Sequence, residues 1–412
     1  MKAKRIDFCR LCKSKQLVGV LNLGSSPPAN SFLKKSQLGT KENFFPLVVN
    51  FCANCGQLQL SHVVSPEILF RNYVFVSSTS RVTVAHFEEY ARSVFNKVKL
   101  KKGDLVVDLG SNDGVLLKPF KKLGAKVLGV DPARNVARRA TKQGIPTLPH
   151  FFNVKLAKQI AQKYGMAKVI TANNVFAHIH DLDDIVRGVL ALLDPEGAFI
   201  IEAPYNIDLL EKNLFDIIYH EHLSYLSIRP LQKFFNSHDM EIFDVVKREV
   251  HGGSVRIFVK KISAKHKFEK SVQVFTELEE KNKLSDIRTY REFAKNIAKN
   301  KTELVQLLKK LKEKNKHIAG YGAPAKSTTL LHYFNIGRET LDFIVDDSPF
   351  KQGLFTPGKH IPVVATDELY TRKPDYVLIL AWNFADSIMN MHDKYKRMGG
   401  KFIIPVPTPK VI

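Results

Sequence analysis

All four cysteines of the 412-residue chain fall within its first 55 positions: Cys9 and Cys12 in CRLC, Cys52 and Cys55 in CANCG, with 39 residues between the pairs. Two C-x-x-C knuckles offer four thiolates, the donor set of a tetrahedral zinc with Zn–S distances of about 2.3 Å. The gap is longer than the common ribbon spacing. Disulfides fit poorly, because the basic start MKAKRIDFCRLC leads into no hydrophobic secretory segment. A redox dithiol would need one such pair and not two. Four protein ligands leave no open position for water, so one structural zinc per chain is expected, holding a domain together and doing no chemistry.

A second set of residues has the pattern of a cofactor loop. Asp108-Leu109-Gly110-Ser111-Asn112-Asp113-Gly114 follows a β-branched run and precedes the helical pattern VLLKPFKKL. Glycines at 110 and 114 permit a turn and close backbone approach, and Asp131 ends the next strand 21 residues after Gly110, where a carboxylate can grip two ribose hydroxyls. The three glycines of the dinucleotide fingerprint are missing, and acidic residues stand where a diphosphate would be repelled. A ligand with a ribose and no phosphate, S-adenosylmethionine, suits this loop; a plain strand–turn–helix junction is the alternative. Asn173 and Asn174 close a later strand where the cofactor's methionine or adenine end should lie.

The third cluster is Asp216-Ile217-Ile218-Tyr219-His220-Glu221-His222-Leu223-Ser224-Tyr225, with two histidines, two carboxylates and two phenols in ten residues. H-E-H is not the helix-borne H-E-x-x-H of zinc proteases. The segment follows Glu202-Ala203-Pro204-Tyr205, the end of a predicted strand, and loops at the carboxyl ends of parallel strands line the ligand crevice. General acid–base work is the expected role, with His178 facing the same crevice from the preceding strand. A polar surface loop is the bland alternative. Trp382, the lone tryptophan, reads as core or pocket wall.

These groups need a scaffold, and the hydropathy pattern supplies one. Residues 61–100 read as helix, polar turn and helix. Beyond 101, runs such as LVVD, KVLGVD, VIT and AFIIE alternate with helical stretches, which predicts a parallel, doubly wound α/β sheet. Residues 241–261 read as two antiparallel strands joined by a short turn. Residues 264–316 carry apolar positions at helical spacing, including Phe275, Leu278, Phe293 and Leu304, with 15 Lys and Arg against 8 acidic residues. HIAGYGA, LDFIVDD, YVLILAW and KFIIP then predict a second Rossmann-like unit. The expected division is a zinc-binding domain at 1–70, an S-adenosylmethionine-binding α/β domain at 71–262, connecting helices at 263–316 and a Rossmann-like domain at 317–412. Composition is that of a globular protein, 44% apolar and 25% charged. The net charge of +23 admits a polyanionic partner without choosing one. No apolar run approaches the roughly 18 residues of a membrane span, and a cytoplasmic protein without membrane contact is expected.

Taken over its whole length, the chain resembles the sugar C-methyltransferases that methylate carbon 3 of nucleoside-diphosphate 4-keto-deoxy sugars in deoxysugar biosynthesis. The resemblance rests on CRLC…NLGSSPPANSF…CANCGQLQL, on VVDLGSNDGVLL and ANNVFAHIHDL, and on GYGAPAKSTTLLHYF and FIVDDSPFKQGLFTPGKHIPV. It implies a class I S-adenosylmethionine-dependent fold flanked by the zinc-binding and second Rossmann-like domains. It implies that Tyr219, Glu221 and His222 are catalytic, that Tyr73 and His178 line the substrate pocket, and that His251, Gly252 and Ser254 form a further pocket turn. The loop from Gly320 through Gly322 to Lys326 would help hold the sugar nucleotide, with thymidine as the expected nucleoside. The implied chemistry is removal of the proton at C3 by a base, with His222 favoured for its near-neutral pKa and Glu221 or a nearby carboxylate orienting it, and stabilisation of the enolate by a Tyr hydroxyl.

Two other classes fit part of the pattern. An RNA methyltransferase would suit zinc, cofactor and charge, but Glu-Ala-Pro-Tyr stands where amino-group nucleic-acid methylases carry Asn/Asp-Pro-Pro-Tyr/Phe, and no cysteine remains as a nucleophile. A non-enzymatic zinc scaffold would have no need of the loop at 108–114 or the cluster at 219–222. No nucleic-acid partner is expected. Oligomeric state is open.

Overall fold

The computed structural model describes residues 2–71, 73, 76–79, 81–250 and 252–412; His251, an expected pocket residue, lies outside them. Its centre is a seven-stranded sheet in the order Met240–Arg248, Ser254–Lys261, Leu193–Pro204, Ala167–Asn173, Leu105–Leu109, Lys126–Val130, Thr147–Leu148. The last five strands are parallel, and the hairpin 240–261 joins antiparallel at one edge. All five residues of Leu105–Leu109 are buried, which is why the sequence shows an apolar run there and no alternation: helices cover both faces. Helix Val154–Tyr164 is capped by the Asn153 side chain, which accepts from the Leu156 N–H. Helix Leu182–Leu192 is capped by Asp181 and buries Leu182, Ile185, Val186, Val189 and Leu192 on one stripe. This is the class I methyltransferase sheet with its antiparallel insertion.

The amino-terminal part builds a four-stranded antiparallel sheet from Leu17–Ser26, Phe45–Cys52, Leu58–Leu60 and a fourth strand, Ser224–Tyr225, supplied by the distant Tyr219–Tyr225 cluster. The carboxyl-terminal sheet runs Val363–Val364, Ile344–Val345, Ile318–Tyr321, Tyr376–Ile379, Lys401–Ile404, Lys410–Val411, parallel except for the last strand.

Helices Ser271–Lys281 and Ile287–Glu313 occupy the basic stretch. The longer one buries Tyr290, Phe293, Ile297, Leu304, Leu308 and Leu311 in a core shared with Leu47 and Phe51 of the amino-terminal sheet and Ile318 and Leu378 of the carboxyl-terminal one. Its outward lysines sit beside glutamates one turn away, as in Lys295–Glu292, Lys299–Glu303 and Lys309–Glu313. The charge is therefore a solvated helix face whose pairs are worth only about 0.3–0.5 kcal/mol each. Leu278, expected on the apolar stripe, is instead exposed. Among the described residues no helix is long and apolar enough to cross a membrane.

Candidate functional site

The carboxyl ends of the central strands open into a cavity of about 770 Å³ that all three parts of the chain line. Such a volume lies in the upper half of the range for small-molecule sites. Asp108, Gly110, Ser111, Asn112, Asp131, Asn173 and Asn174 form its floor, Tyr73, His178, Tyr219 and His222 one wall, and Lys326, Lys351 and Asn383 the side facing the carboxyl-terminal sheet.

On the floor, Gly110 takes φ +67°, and a Cβ there would overlap the Val175 side chain, so glycine is required by both backbone and space. Asp131 is buried and held in place, its two oxygens accepting from the Asn112 and Ala133 N–H groups at 2.8 Å each. Burial pushes its carboxyl up to about 6, and that of Asp108, which accepts from Thr171 Oγ1 at 2.6 Å, up to about 7. The Ser111 hydroxyl and both side-chain polar atoms of Asn173 are buried without a protein partner among the described residues. A buried carboxylate and orphaned polar groups around one cavity floor are what a ribose- and amino-acid-bearing cofactor would satisfy, so the chain's residues fit S-adenosylmethionine. Gly114, also expected here, lies just behind the floor with φ +78° against Ile145.

The segment that carries Tyr219 and His222 is not a surface loop: Asp216, His220, Glu221, Leu223, Ser224 and Tyr225 are buried, while Tyr219 and His222 are half-buried at the cavity. Three parts of the chain clamp it. Ser224 and Tyr225 pair with Gln59 and Leu58, Thr329 Oγ1 donates to the Ile218 carbonyl, and Leu223 N donates to the Ala177 carbonyl beside His178. His222 Nδ1 lies 2.6 Å from the Ile217 carbonyl. A carbonyl only accepts, so Nδ1 carries the hydrogen, and in the neutral form of the ring the lone pair lies on Nε2. The ring sits 4.0 Å from that of Tyr219 and 4.9 Å from that of His178. Burial, reinforced by His222, holds His178 well below the ordinary imidazole pKa.

Glu221 is placed differently from the expectation. It accepts from Tyr73 Oη at 2.8 Å and from Asn30 Nδ2 at 2.7 Å, while a backbone carbonyl orients His222. The reason is local: Tyr219–His222 is a turn, closed by the His222 N–H donating to the Tyr219 carbonyl at 2.9 Å, and it sends the two side chains apart. Burial raises the Glu221 carboxyl from 4.5 to about 7, so a near-neutral group other than imidazole exists in this site. Between those values the native protein holds a proton the unfolded chain has released, and stability falls as pH rises. Glu221→Gln should therefore raise the melting temperature relative to wild type above pH 7, with the gain fading below about pH 4.5. Scanning calorimetry across pH checks this; a gain independent of pH would contradict it.

Other expected residues are spread out. Lys326 lines the cavity but leans on Asp216 at 3.8 Å and over Trp382 at 4.1 Å, and Trp382 Nε1 donates to Asp216 at 2.6 Å. Gly320 is a sheet residue whose Cβ would strike Ile344. Gly322 turns the chain at φ +81° against Ala381. Gly252 and Ser254 belong to the hairpin turn, where Ser254 Oγ donates to the Val250 carbonyl. None of these four lines the cavity. Asn30, Phe70, Lys351 and Asn383 do, and no local pattern marked them. Asn30 sits in SSPPANSF, a string that stands out only by resemblance.

At the zinc centre, the four Sγ atoms lie within 4.8 Å of one another, with Cys9–Cys55 and Cys12–Cys52 at 3.6 Å. A tetrahedron with bonds of about 2.3 Å has edges near 3.8 Å. Each knuckle turns through a left-handed residue, Lys13 at φ 61° and Gly56 at φ 81°, whose N–H donates to the carbonyl of the knuckle's first cysteine. The donor set fits zinc.

A class I sheet, a buried carboxylate at the end of one of its strands and a half-buried His/Tyr wall on one cavity are the parts of a methyltransferase. Comparison with known proteins agrees and narrows it. The chain matches a "Putative zinc binding domain" over residues 9–70, a "Methyltransferase domain" over 84–245 and a "C-methyltransferase C-terminal domain" over 249–407. It is 37% identical to the C-methyltransferase NovU of Streptomyces niveus over 407 residues, covering 99% of this chain and 97% of the relative. A ubiquinone biosynthesis O-methyltransferase of Bartonella bacilliformis matches at 24% over 34% of the chain and 60% of its own length. The solved structure of magnesium protoporphyrin IX methyltransferase from Synechocystis PCC 6803 aligns at 16% identity and TM-score 0.33 over 43% of this chain and 80% of that one. The plantazolicin methyltransferase BpumL does so at 13% and 0.34, over 42% and 82%. The chain belongs to the S-adenosylmethionine-dependent C-methyltransferase family. It is an enzyme of that class, with a structural zinc site.

Proposed function

We propose that the enzyme methylates C3 of a nucleoside-diphosphate 4-keto-deoxy sugar through an enolate. The observation that carries this reading is the orientation of His222 on the wall of the shared cavity: its Nδ1–H donates to the Ile217 carbonyl, which puts the lone pair of the neutral ring on Nε2. A ketone at C4 acidifies the C3–H bond, and His222 Nε2 takes that proton. The electron pair moves to the C4 oxygen, where the Tyr219 hydroxyl donates a hydrogen bond to the developing charge. Glu221 fixes the Tyr73 hydroxyl from behind. Asp131 would grip the cofactor's ribose hydroxyls, and Ser111 and Asn173 would meet its amino-acid end. S-adenosylmethionine, when bound, supplies the electrophilic methyl group that the nucleophilic carbon takes. Lys326 and Lys351 line the far end of the cavity as donors for a diphosphate, each beside a carboxylate, Asp216 at 3.8 Å and Asp346 at 3.5 Å.

The test is turnover of a thymidine-diphosphate 4-keto-deoxy sugar, with the product identified by mass and by NMR of the new C3 methyl. No turnover on any 4-keto sugar nucleotide, with methylation of another carbon acid, would overturn the substrate. Asp131→Ala removes charge-assisted hydrogen bonds of about 1.5–3 kcal/mol each. Calorimetry should then show cofactor affinity falling at least about tenfold with sugar-nucleotide binding little changed. An unaltered affinity would put the cofactor elsewhere.

A further inference from the structure

Arg10, between the first two zinc cysteines, is fully buried. Its Nη1 donates to the Leu60 carbonyl at 2.8 Å and to the Leu223 carbonyl at 3.1 Å, while Nε and Nη2 have no partner among the described residues. Its backbone N–H donates to Gln59 Oε1, and Gln59 pairs with Ser224. The Leu223 carbonyl also accepts from Leu60 N, and Leu223 N donates to the Ala177 carbonyl. One guanidinium therefore grips the residue that follows His222, and that residue grips the one that precedes His178.

A buried cation costs several kcal/mol unless an opposite charge compensates it. Four thiolates around one divalent zinc leave surplus negative charge on the adjacent knuckle. The geometry points to Arg10 as a positioning residue that couples the zinc centre to catalysis: it balances the thiolate cluster and, through Leu223, holds His222 beside His178. This rests on the base role proposed for His222, and makes the zinc domain a support of the active-site wall.

The test uses full-length Arg10→Met and Arg10→Lys enzymes beside wild type. Arg10→Met should release zinc to a chelator at least about tenfold faster and lose at least about tenfold in kcat, with the KM for S-adenosylmethionine within about twofold. Nitrogen-15 spectra of the histidine rings should show His222 leaving its single Nδ1–H tautomer. Arg10→Lys keeps the charge and loses the fork, so it should retain zinc like wild type while keeping the kcat defect. Wild-type kcat and an unchanged His222 signal in Arg10→Met overturn the proposal, as does a parallel loss of zinc, cofactor binding and activity. If Arg10→Met does not fold, Arg10→Lys decides: wild-type kcat and an unchanged ring signal overturn it. Zinc release and ring spectra need no substrate, so a wrong sugar leaves both readouts intact and shows itself as wild type failing to turn over.

Discussion

His222→Asn is expected to abolish hydrogen exchange at C3 while leaving both ligands bound. The assay needs no methyl transfer: enzyme and 4-keto sugar nucleotide are incubated in D2O with S-adenosylhomocysteine in place of the methyl donor. Wild type should replace the C3 hydrogen with deuterium faster than the uncatalysed background. Removal of a general base typically costs about 10²–10⁴-fold, which is the fall expected for His222→Asn. His178 is the rival base on the same wall. Its burial and the neighbouring imidazole keep it neutral but make it a weak proton acceptor, which suits contact with His222 better than proton removal. Glu221 has the near-neutral value a base needs, yet its oxygens accept from Tyr73 and Asn30 and it does not line the cavity. If His222→Asn exchanges at the wild-type rate and His178→Asn does not, the base is His178 and His222 only supports it.

The fold was readable where periodicity is strong. Mostly apolar, non-alternating stretches at 105–109, 126–130 and 167–173 give central parallel strands because helices cover both faces. The four cysteines were readable because their spacing is itself the chemistry. That the glycine loop and Asp131 share one cavity floor followed from the separation of Gly110 and Asp131, which reflects one βαβ unit. What the pattern did not carry is long-range pairing. Ser224 and Tyr225 form a strand only because Leu58–Leu60, more than 160 positions earlier, offers an edge. Asn30 reaches Glu221 across 191 positions, and Trp382 reaches Asp216 across 166. No local propensity encodes such contacts. A carboxylate adjacent in sequence to His222 does not touch it either: the Tyr219–His222 turn sends Glu221 toward Tyr73 and Asn30 and His222 toward the Ile217 carbonyl.

Removal of zinc is expected to disable the active-site wall and spare the cofactor floor. Cys9 and Cys52 are buried where the amino-terminal part packs on the central domain, in a core that includes Phe176 and Leu226. Binding free energy at structural zinc sites is about 10–16 kcal/mol in small domains, comparable with the whole stability of a typical domain. Purified enzyme should contain about one zinc per chain, and Cys52→Ser should unfold the amino-terminal sheet. That sheet contributes Leu58–Leu60, the partner of Ser224–Tyr225, so the His222 segment loses its register when the sheet goes. Gly110, Asp131 and Asn173 hang on strands of the central sheet, so intrinsic cofactor affinity should stay within a few fold. The signature is thus a split: C3 exchange and methyl transfer lost, S-adenosylmethionine binding kept. Absence of metal in active enzyme, or disulfides among the four cysteines with activity intact after chelation, would rule zinc out as the support of this wall. Loss of cofactor binding in step with activity would show instead that the central sheet cannot stand without the metal site.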